Sequence, residues 1–354
     1  MKRAPKKNLE QMPANGRGPR VSRQDVARAA GVSLTTVTHA LNPPPGVRMS
    51  EETRERVRRV ARELGYRPSF VGRALVSGKA YTVGLLQPHA EALFYAFYQE
   101  MVHGMVQAMQ ADDYNLLILF RSPDQRFMRV VEQGRIDGML VLQSDLEVGH
   151  IDRLVEMGLP TVVVNKGYPV QPDKPVGCVH ADHHRMMRDV VAEFAALGCR
   201  SLLNIGDPRA CDANMQMFEG FVAATATAAG NGITGTTLAP DTKDFPAQVR
   251  ALLRGGSRWD GVFVDGPELA TAFLSEAQSS GLAAGRDFHL ISSGTSTSFT
   301  TRQHGEVSAY NHQPGLVGRA AWVLLRDLIR GEAPGQQRLV PYKRVEVQAG
   351  AAAH

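Results

Sequence analysis

The stretch VSLTTVTHALN, residues 32–42, decides how the N-terminal part of the chain folds. Five of its eleven residues are β-branched, which disfavours an isolated helix. Gly31 nevertheless precedes it as a turn residue, and Ser33 is a typical helix N-cap. Three apolar residues then fall on one helical face: Val37, Ala40 and Leu41. The pattern predicts a short helix that is held by packing and turns its polar side chains outward.

Two further helices are predicted around this one. Ser22 and Asp25 form a capping-box pattern, and the PPPG loop separates the second helix from a third that Ser50 caps and Gly65 ends. The predicted core positions of these two helices are Val26, Ala29, Ala30, Val57, Val60, Ala61 and Leu64. Because a tight glycine turn joins the first two helices, we interpret them as a helix-turn-helix.

Charge is divided unevenly along the chain. Residues 1–80 contain 17 Lys and Arg against 6 Asp and Glu, and the remainder contains 23 against 29. A basic head on an acidic body is typical of a protein that meets a polyanion at one end. Residues 1–20 are predicted to be a disordered basic arm, which either touches phosphates weakly or stays solvated.

Composition excludes several classes of protein. A length of 354 residues predicts two or three domains, and the lack of a long apolar run or an apolar leader predicts a cytoplasmic protein. Three cysteines without a CxxC spacing predict neither a disulfide framework nor a structural zinc site. Since no common nucleotide-binding or hydrolase motif occurs, we predict that the chain is not an enzyme and has no cofactor.

From Tyr81 onward, apolar strands alternate with amphipathic helices. The first predicted strands are TVGLLQP, YNLLILF, DGMLVLQ and PTVVVNK; those of a second series are CVHAD, RSLLNIGD, GTTLAP, WDGVFVDG, FHLISSG and EVSAY. Two such series predict two α/β lobes with parallel sheets, and a ligand site in the cleft at the carboxyl ends of the strands.

The outward side chains of residues 32–42 suit a nucleic acid. Short polar side chains near the start of a helix can reach base edges in a major groove. We predict that Thr35 and His39 read bases, while Leu34 offers apolar contact alone. The candidate phosphate contacts are Ser22, Ser33, Thr36, Asn42 and Arg73. The alternative is an ordinary three-helix module with a solvated face.

The segment CVHADHH, residues 178–184, also suggests a metal site. A strand would send Cys178 and His180 to one face, whereas His183 and His184 begin a helix and are expected to point elsewhere. Asp182 has a simpler interpretation as a helix N-cap. We therefore predict no metal site here.

Four segments together carry a resemblance to a family: DVARAAGVSLTTVTHALN, SEETRERV, ELGYRPS and VGRALVSGKAYTVGLL. They resemble the LacI/GalR family of bacterial transcription regulators, and the likeness extends from about Val21 to the C-terminal region. TTVTH is similar to the form found in the purine-repressor branch. The resemblance implies a homodimeric repressor that binds double-stranded DNA at a near-palindromic operator under the control of a small-molecule effector.

The resemblance also implies an α + α/β architecture, with a helix-turn-helix domain, a hinge helix and a two-lobed periplasmic-binding-protein-like domain with parallel sheets. We place the arm at 1–20, the helix-turn-helix at 21–67, the hinge at 68–80 and the effector-binding and dimerisation domain at 81–354. Within the last, lobe one takes about 81–181 and 312–340, and lobe two about 182–311 and 341–354. The hinge is expected to insert Leu75 into a minor-groove step; the alternative is that Leu75 packs on the body.

The effector positions depart from the family. Many members have an arginine where this chain has Met217, and an aspartate where it has Thr295, so two charged clamps are lost and a sugar effector is disfavoured. A softer, more apolar pocket could instead be lined by methionines and aromatic residues, although most of the methionines could equally fill core gaps; the candidates are Met186, Met187, Met215, Met217, Phe94, Phe97 and Tyr98. The residues assigned to the effector site are Tyr98, Gln143, Asp182, Met217, Asp265 and Thr295.

Two other functions stay open at this point. The chain is alternatively a cytosolic small-molecule sensor with a degenerate DNA-binding head, or an α/β enzyme with an appended nucleic-acid module. The enzyme alternative leaves the basic head and the linker motif unexplained.

Overall fold

A computed structural model of the chain describes residues 21–41, 46–66, 77–87, 90, 94–122, 124–142, 148–241, 243–256, 258–294 and 307–347. The chain divides into two compact units, Met1–Lys79 and Ala80–His354. In the described part, no helix is long and apolar enough to cross a membrane.

The N-terminal unit contains three helices: α1 (Arg23–Ala30), α2 (Leu34–Leu41) and α3 (Glu51–Glu63). The predicted capping box is present, since the Ser22 side chain accepts from the backbone of Asp25 and the Asp25 side chain accepts from that of Ser22. Gly31 adopts a left-handed φ of 63°, which lets the chain turn sharply between α1 and α2. These features confirm the predicted helix-turn-helix.

The core of this unit consists of small apolar side chains. Its buried members are Val26, Ala27, Ala30, Val37, Ala40, Val57 and Ala61. Two predicted core positions are wrong. Ala29 is exposed, because Ala27 lies on the buried face of α1, and Leu64 is 39% exposed because α3 ends at Glu63.

The first lobe of the second unit is built on a six-stranded sheet of order β11-β5-β4-β3-β1-β2. Its strands are β1 (Thr82–Gln87), β2 (Asn115–Phe120), β3 (Gly138–Leu142), β4 (Thr161–Val164), β5 (Val176–Ala181) and β11 (Gln336–Val340). Every strand pair in this sheet is parallel. Its helices are α4 (Ala96–Met109), α5 (Arg126–Glu132), α6 (Val148–Glu156) and α11 (Pro314–Ile329).

The second lobe has a sheet of order β12-β10-β9-β8-β6-β7. Its strands are β6 (Ser201–Ile205), β7 (Thr234–Leu238), β8 (Gly261–Val264), β9 (His289–Ser293), β10 (Val307–Asn311) and β12 (Lys343–Val347). Its helices are α7 (His183–Ala196), α8 (Asp212–Ala228), α9 (Phe245–Arg254) and α10 (Pro267–Ser279). The strand pairs are parallel except for β12, which runs antiparallel to β10.

Three chain crossings connect the lobes, and they fix where a ligand can lie. The crossings follow β5 at Asp182, β10 at His312 and β11 at Pro341. β5 and β10 each end at a crossing, and apart from β12 the strands of each sheet run parallel to them, so the carboxyl ends of these parallel strands face the junction of the lobes. The two-lobed α/β fold predicted from the sequence is therefore confirmed.

Helices α4 and α11 pack backbone to backbone beside this junction. A Cβ atom at Gly104 would lie 2.0 Å from the carbonyl oxygen of Gly315, so only glycine fits there. Beneath them Trp322 is fully buried and donates to the Asp112 carboxylate at 3.0 Å. This close packing fixes the middle of α4 against the N-terminal end of α11.

Candidate nucleic-acid interface and inter-lobe cleft

Helix α2 has one buried face and one open face. Val37 and Ala40 are fully buried against α1 and α3, as predicted. Leu34 is 46% exposed, Thr35 is exposed, and His39 is partly exposed. An exposed leucine at the start of a helix has little packing value, so this open face is available to a partner.

Ser33 and Thr36 form the start of α2. The Ser33 hydroxyl accepts from the Thr36 backbone N–H at 3.1 Å, and the two hydroxyl oxygens are 2.8 Å apart. The pair therefore caps the helix and also presents hydroxyl groups at its exposed N-terminus. Such a terminus favours an anion such as a phosphate.

Ser22 likewise caps a helix and is exposed, at the start of α1. Its hydroxyl donates to the Asp25 carboxylate at 2.7 Å, and its backbone N–H donates to the same carboxylate at 2.9 Å. These hydrogen bonds lower the pKa of Asp25, so the carboxylate keeps its charge and its hold on Ser22.

One contact in the head was missed from the sequence. The Arg23 guanidinium donates to the Thr38 hydroxyl at 3.4 Å, and that hydroxyl donates to the backbone carbonyl of Leu34 at 3.0 Å. Arg23 thus connects α1 to the exposed side of α2. The sequence gave no sign of the contact between Arg23 and Thr38, because the two residues are fifteen positions apart.

Several predicted residues lie outside the described ranges. They are Asn42, Arg73 and Leu75 of the predicted DNA site, Gln143 and Thr295 of the predicted effector site, and the predicted arm at 1–20. The remaining effector-site candidates, Tyr98, Asp182, Met217 and Asp265, belong to the second unit.

Asp265 lies at the carboxyl end of β8 within a polar cluster. Its carboxylate accepts from the Ser293 hydroxyl at 2.5 Å and from the Asn214 side-chain amide. The Asn214 oxygen in turn accepts from the Cys211 thiol at 2.7 Å. Burial raises the pKa of Asp265, and the two hydrogen bonds oppose that rise.

Asp182 lies at the first crossing, directly after β5, and Tyr98 lies in α4 of the first lobe. Asp182 caps α7, as predicted, by accepting from the backbone N–H of Arg185 at 3.0 Å. Tyr98 packs edge to face on Phe97, with ring centroids 5.5 Å apart, and both rings lie against the first-lobe core.

Met217 is 4% exposed and belongs to the hydrophobic core of the second lobe. Met186 and Met187 are buried in the same core. Met215 is 38% exposed and Phe94 is 80% exposed. Of the residues suggested for a softer pocket, Met186, Met187 and Met217 therefore lie in the core, whereas Met215 and Phe94 lie on the surface.

A cluster of aromatic rings at the three crossings was missed from the sequence. The His183 ring lies 6.3 Å from that of His312 and 5.6 Å from that of Tyr342, and the last two are 4.9 Å apart, centroid to centroid. The Tyr342 oxygen and the His183 Nδ1 atom are 2.5 Å apart. Each ring comes from a different crossing, so the cluster lies where the lobes meet.

The surroundings of these rings keep them neutral. Burial first, and then the neighbouring histidines His312, His180 and His184, lower the pKa of His183 far below its usual value. Burial lowers the pKa of His312 to about 4. Burial, followed by the negative charge of Asp265, raises the pKa of Tyr342. All three groups are uncharged at neutral pH.

Residues 178–184 do not separate as predicted. The rings of His180 and His183 stack, with centroids 6.2 Å apart, so the expectation that His183 points away from His180 is wrong. The reason is that the chain turns at Asp182 and brings the first residue of α7 back over β5. Cys178 donates to the Lys166 carbonyl, and no group of three metal-binding side chains occurs among the described residues.

A hydrogen bond joins the lobes beside this cluster. The backbone N–H of Gly167, in the loop after β4, donates to the Asp212 carboxylate at the start of α8 at 2.7 Å. The crossings are also tied together, since the Asp182 N–H donates to the Val340 carbonyl at 2.9 Å. The lobes are thus hydrogen-bonded to each other in this structure.

These observations define a class of protein: a helix-turn-helix head followed by a two-lobed α/β unit with a cleft. Family models give the same division. The model for bacterial regulatory proteins of the lacI family matches residues 23–69. The model for periplasmic binding proteins and the sugar binding domain of the LacI family matches residues 80–255, and the model for a periplasmic binding protein-like domain matches residues 191–348.

Similar proteins agree with these models. The chain is 34% identical to the HTH-type transcriptional regulator RegA of Clostridium saccharobutylicum over 145 residues, 40% of this chain and 42% of RegA. It is 26% identical to the HTH-type transcriptional regulator AglR of Rhizobium meliloti (strain 1021) over 278 residues, 77% of each. The Lac repressor dimer bound to operator and the anti-inducer ONPF shares the fold, with a TM-score of 0.73, 19% identity and coverage of 94% and 100%.

The chain belongs to the lacI family of bacterial regulatory proteins. The family identified from the head motif is therefore confirmed, and so are its fold and its class as a DNA-binding transcriptional regulator. The family is made of transcriptional regulators, not enzymes. The chain spans less than half the length of RegA in that match, so its particular activity and partners are proposals.

Proposed function

We propose that this protein is a homodimeric transcriptional repressor that binds a near-palindromic operator and responds to a small-molecule effector between its lobes. The observation that carries the proposal is the open face of α2, where exposed Leu34 and Thr35 and partly exposed His39 lie opposite a buried apolar face. We expect it to act in the bacterial cytoplasm, where operator DNA lies.

In this proposal the head residues have the roles that the sequence predicts for them. Thr35 and His39 read base edges, and Leu34 contacts a thymine methyl group. Ser22, Ser33, Thr36, Asn42 and Arg73 contact phosphates, while Leu75 enters the minor groove. Two heads are needed, since one helix of eight residues makes too few base contacts for useful specificity.

The control by effector depends on the two lobes. Three crossings allow the lobes to change their angle, and a ligand that prefers one angle would shift the population able to bind DNA. We propose that six residues line the effector site: Tyr98, Gln143, Asp182, Met217, Asp265 and Thr295. The proposed bounds are about 81–181 and 312–340 for lobe one, and about 182–311 and 341–354 for lobe two.

A duplex selection tests this proposal. Purified full-length protein is incubated with a randomised duplex library, and bound sequences are compared with titrations on random duplex at two salt concentrations. We expect a symmetrical preferred site, and weak binding to random duplex that falls steeply with salt. Metabolite binding by a folded protein that selects no duplex would instead identify a small-molecule sensor with a degenerate head.

A further inference from the structure

Buried polar side chains normally have hydrogen-bond partners, so a buried group without one points to something that completes it. Gln87, at the carboxyl end of β1, is fully buried, and neither polar atom of its amide has a partner among the described residues. The buried Nε2 atoms of His183 and His312 are likewise without partners there.

Gln87 and His312 lie at the same end of the first lobe. Alternate residues of β1, Val83 and Leu85, pack with α4 and α11, and Gln87 continues that face by two more positions. Phe97, near the start of α4, contacts the His312 ring at 5.8 Å between centroids. The unpartnered amide and the unpartnered imidazoles therefore lie at the carboxyl ends of the strands, on the side where the lobes join.

The chemistry of these groups defines what they can bind. A glutamine amide presents an NH₂ donor group and a carbonyl acceptor side by side in one plane, so a ligand with an adjacent acceptor and donor can pair with both groups. Tyr342 keeps its proton because its pKa is raised, and the acceptor that the structure gives it is His183 Nδ1. His183 then carries its proton on Nε2, which leaves a donor for a ligand acceptor.

The charge and shape of the surrounding side chains further limit the class of ligand that this site can bind. The unpartnered groups are neutral, and the buried Asp265 carboxylate near Tyr342 disfavours an anion. A simple ammonium ion has no acceptor for His183 Nε2–H or for the Gln87 NH₂ group. The rings of Phe97, His312 and Tyr342 favour a flat partner over a polyhydroxylated one.

We propose that the effector is an uncharged, planar molecule with an amide-like edge, held by Gln87 and the imidazoles of His183 and His312. This inference rests on the proposed function, because it names the chemical class that the effector cleft takes. Such an effector differs from a sugar because it has a flat ring and a single edge that carries both a donor and an acceptor.

Isosteric probes test the class directly. Benzamide and nicotinamide are titrated against the full-length protein at pH 7, with benzoate, nicotinate and glucose as comparisons, by calorimetry and thermal unfolding. We expect the two amides to bind and to raise Tm with concentration. The carboxylates, which carry a charge and lack the N–H donors of the amide at that edge, should bind at least about tenfold more weakly, and glucose should leave Tm unchanged.

Two matched variants separate binding from stability. Gln87→Leu should weaken amide binding at least about tenfold, yet keep or raise the ligand-free Tm, since leucine leaves no buried amide unsatisfied. Gln248→Leu removes two hydrogen bonds, from the Asp241 N–H at 2.7 Å and to the Ala239 carbonyl at 2.9 Å. It should lower Tm and leave amide binding unchanged. If Gln87→Leu does not fold, His312→Phe keeps an aromatic ring there and should weaken binding similarly.

Specific outcomes would overturn the inference. Equal or tighter binding of the carboxylates or glucose, no binding of either amide, or full amide binding by Gln87→Leu would each contradict it. Failure here is distinguishable from failure of the proposed function: a protein that selects a symmetrical duplex but ignores both amides loses only this inference. A protein that selects no duplex loses the proposed function.

Discussion

The three-helix head and the junction of the two lobes bury different kinds of side chain. In the described head the buried residues are all Val or Ala, and its polar side chains lie toward the surface. The junction instead buries Gln87 and His183, and the rings of His312 and Tyr342 pack on that of His183. Among the described residues, the head leaves one buried side-chain polar atom without a partner, Arg54 Nε, whereas the junction leaves four, on Gln87, His183 and His312.

This difference separates two ways of forming a site. The head presents its polar groups outward and can be built before any partner arrives. The junction holds donors and acceptors away from water, so a ligand that satisfies them gains more than it would on an open surface. Changes in the head core should therefore abolish binding through unfolding, while changes at the junction should alter response and pH dependence.

Val37→Asp should have the largest effect. Val37 is fully buried in α2, and an unpaired carboxylate there costs several kcal/mol, about as much as the whole stability of so small a domain. We expect the head to unfold and all duplex binding to be lost, while the second unit keeps its own unfolding transition. Circular dichroism and calorimetric melting measure this.

Thr35→Asp is the matched control for this change, because Thr35 is exposed on the same helix. It should lose DNA binding through charge repulsion but keep the head's stability within about 0.5 kcal/mol. Unfolding of the head by Thr35→Asp, or a folded head in Val37→Asp, would contradict the assignment of the two faces of α2.

The junction should make stability depend on pH. His312 has a pKa of about 4 in the fold and 6.5 as its ordinary value. Between these values the unfolded chain binds more protons than the folded one, so stability present above pH 6.5 is lost as pH falls towards 4. The loss from this group is about 2 to 3 kcal/mol, measured by denaturant unfolding of the second unit at pH 7 and 4.5.

His312→Phe is the control for this pH effect, since phenylalanine packs on Phe97 but does not titrate. Its unfolding free energy should fall less between the two pH values than that of the unchanged protein. Equal losses in both proteins would show that other groups, His183 or the carboxylates, account for the dependence.

The head was predictable from sequence because each of its features is local. The Ser22–Asp25 capping box, the Gly31 turn and the buried face with Val37 and Ala40 all depend on residues within a few positions of one another. The strands of the lobes were predictable for the same reason, from their apolar runs.

Two strands and the ring cluster could not be found in this way. β11 and β12 contain QQRLV and KRVEV, in which polar residues interrupt the apolar pattern because both strands lie at sheet edges. His183, His312 and Tyr342 are up to 159 residues apart in the chain, and only the three crossings bring them together. Their position at connections between strands was the one available signal.

His39→Ala should have a smaller effect, confined to sequence preference. His39 is partly exposed on the open side of α2, and losing one base contact costs about 1 to 3 kcal/mol of discrimination at that base pair. We expect the preferred site from a duplex selection to become degenerate at one symmetrical position, with affinity for random duplex nearly unchanged. Equal weakening on all sequences would exclude a base-reading role.

Asp212→Ala should have the smallest effect, because it removes one hydrogen bond between the lobes. The Gly167 N–H would lose its acceptor at 2.7 Å, which costs about 1 kcal/mol and favours a wider angle between the lobes. Asp207→Ala is a suitable control, since the hydrogen bonds of the Asp207 carboxylate to described residues stay within its own loop, at Arg209. Small-angle scattering should report a larger radius of gyration for Asp212→Ala alone. If both variants expand equally, or neither does, the Gly167 contact does not set the angle, and the unsatisfied groups at the junction would have to control it through the ligand.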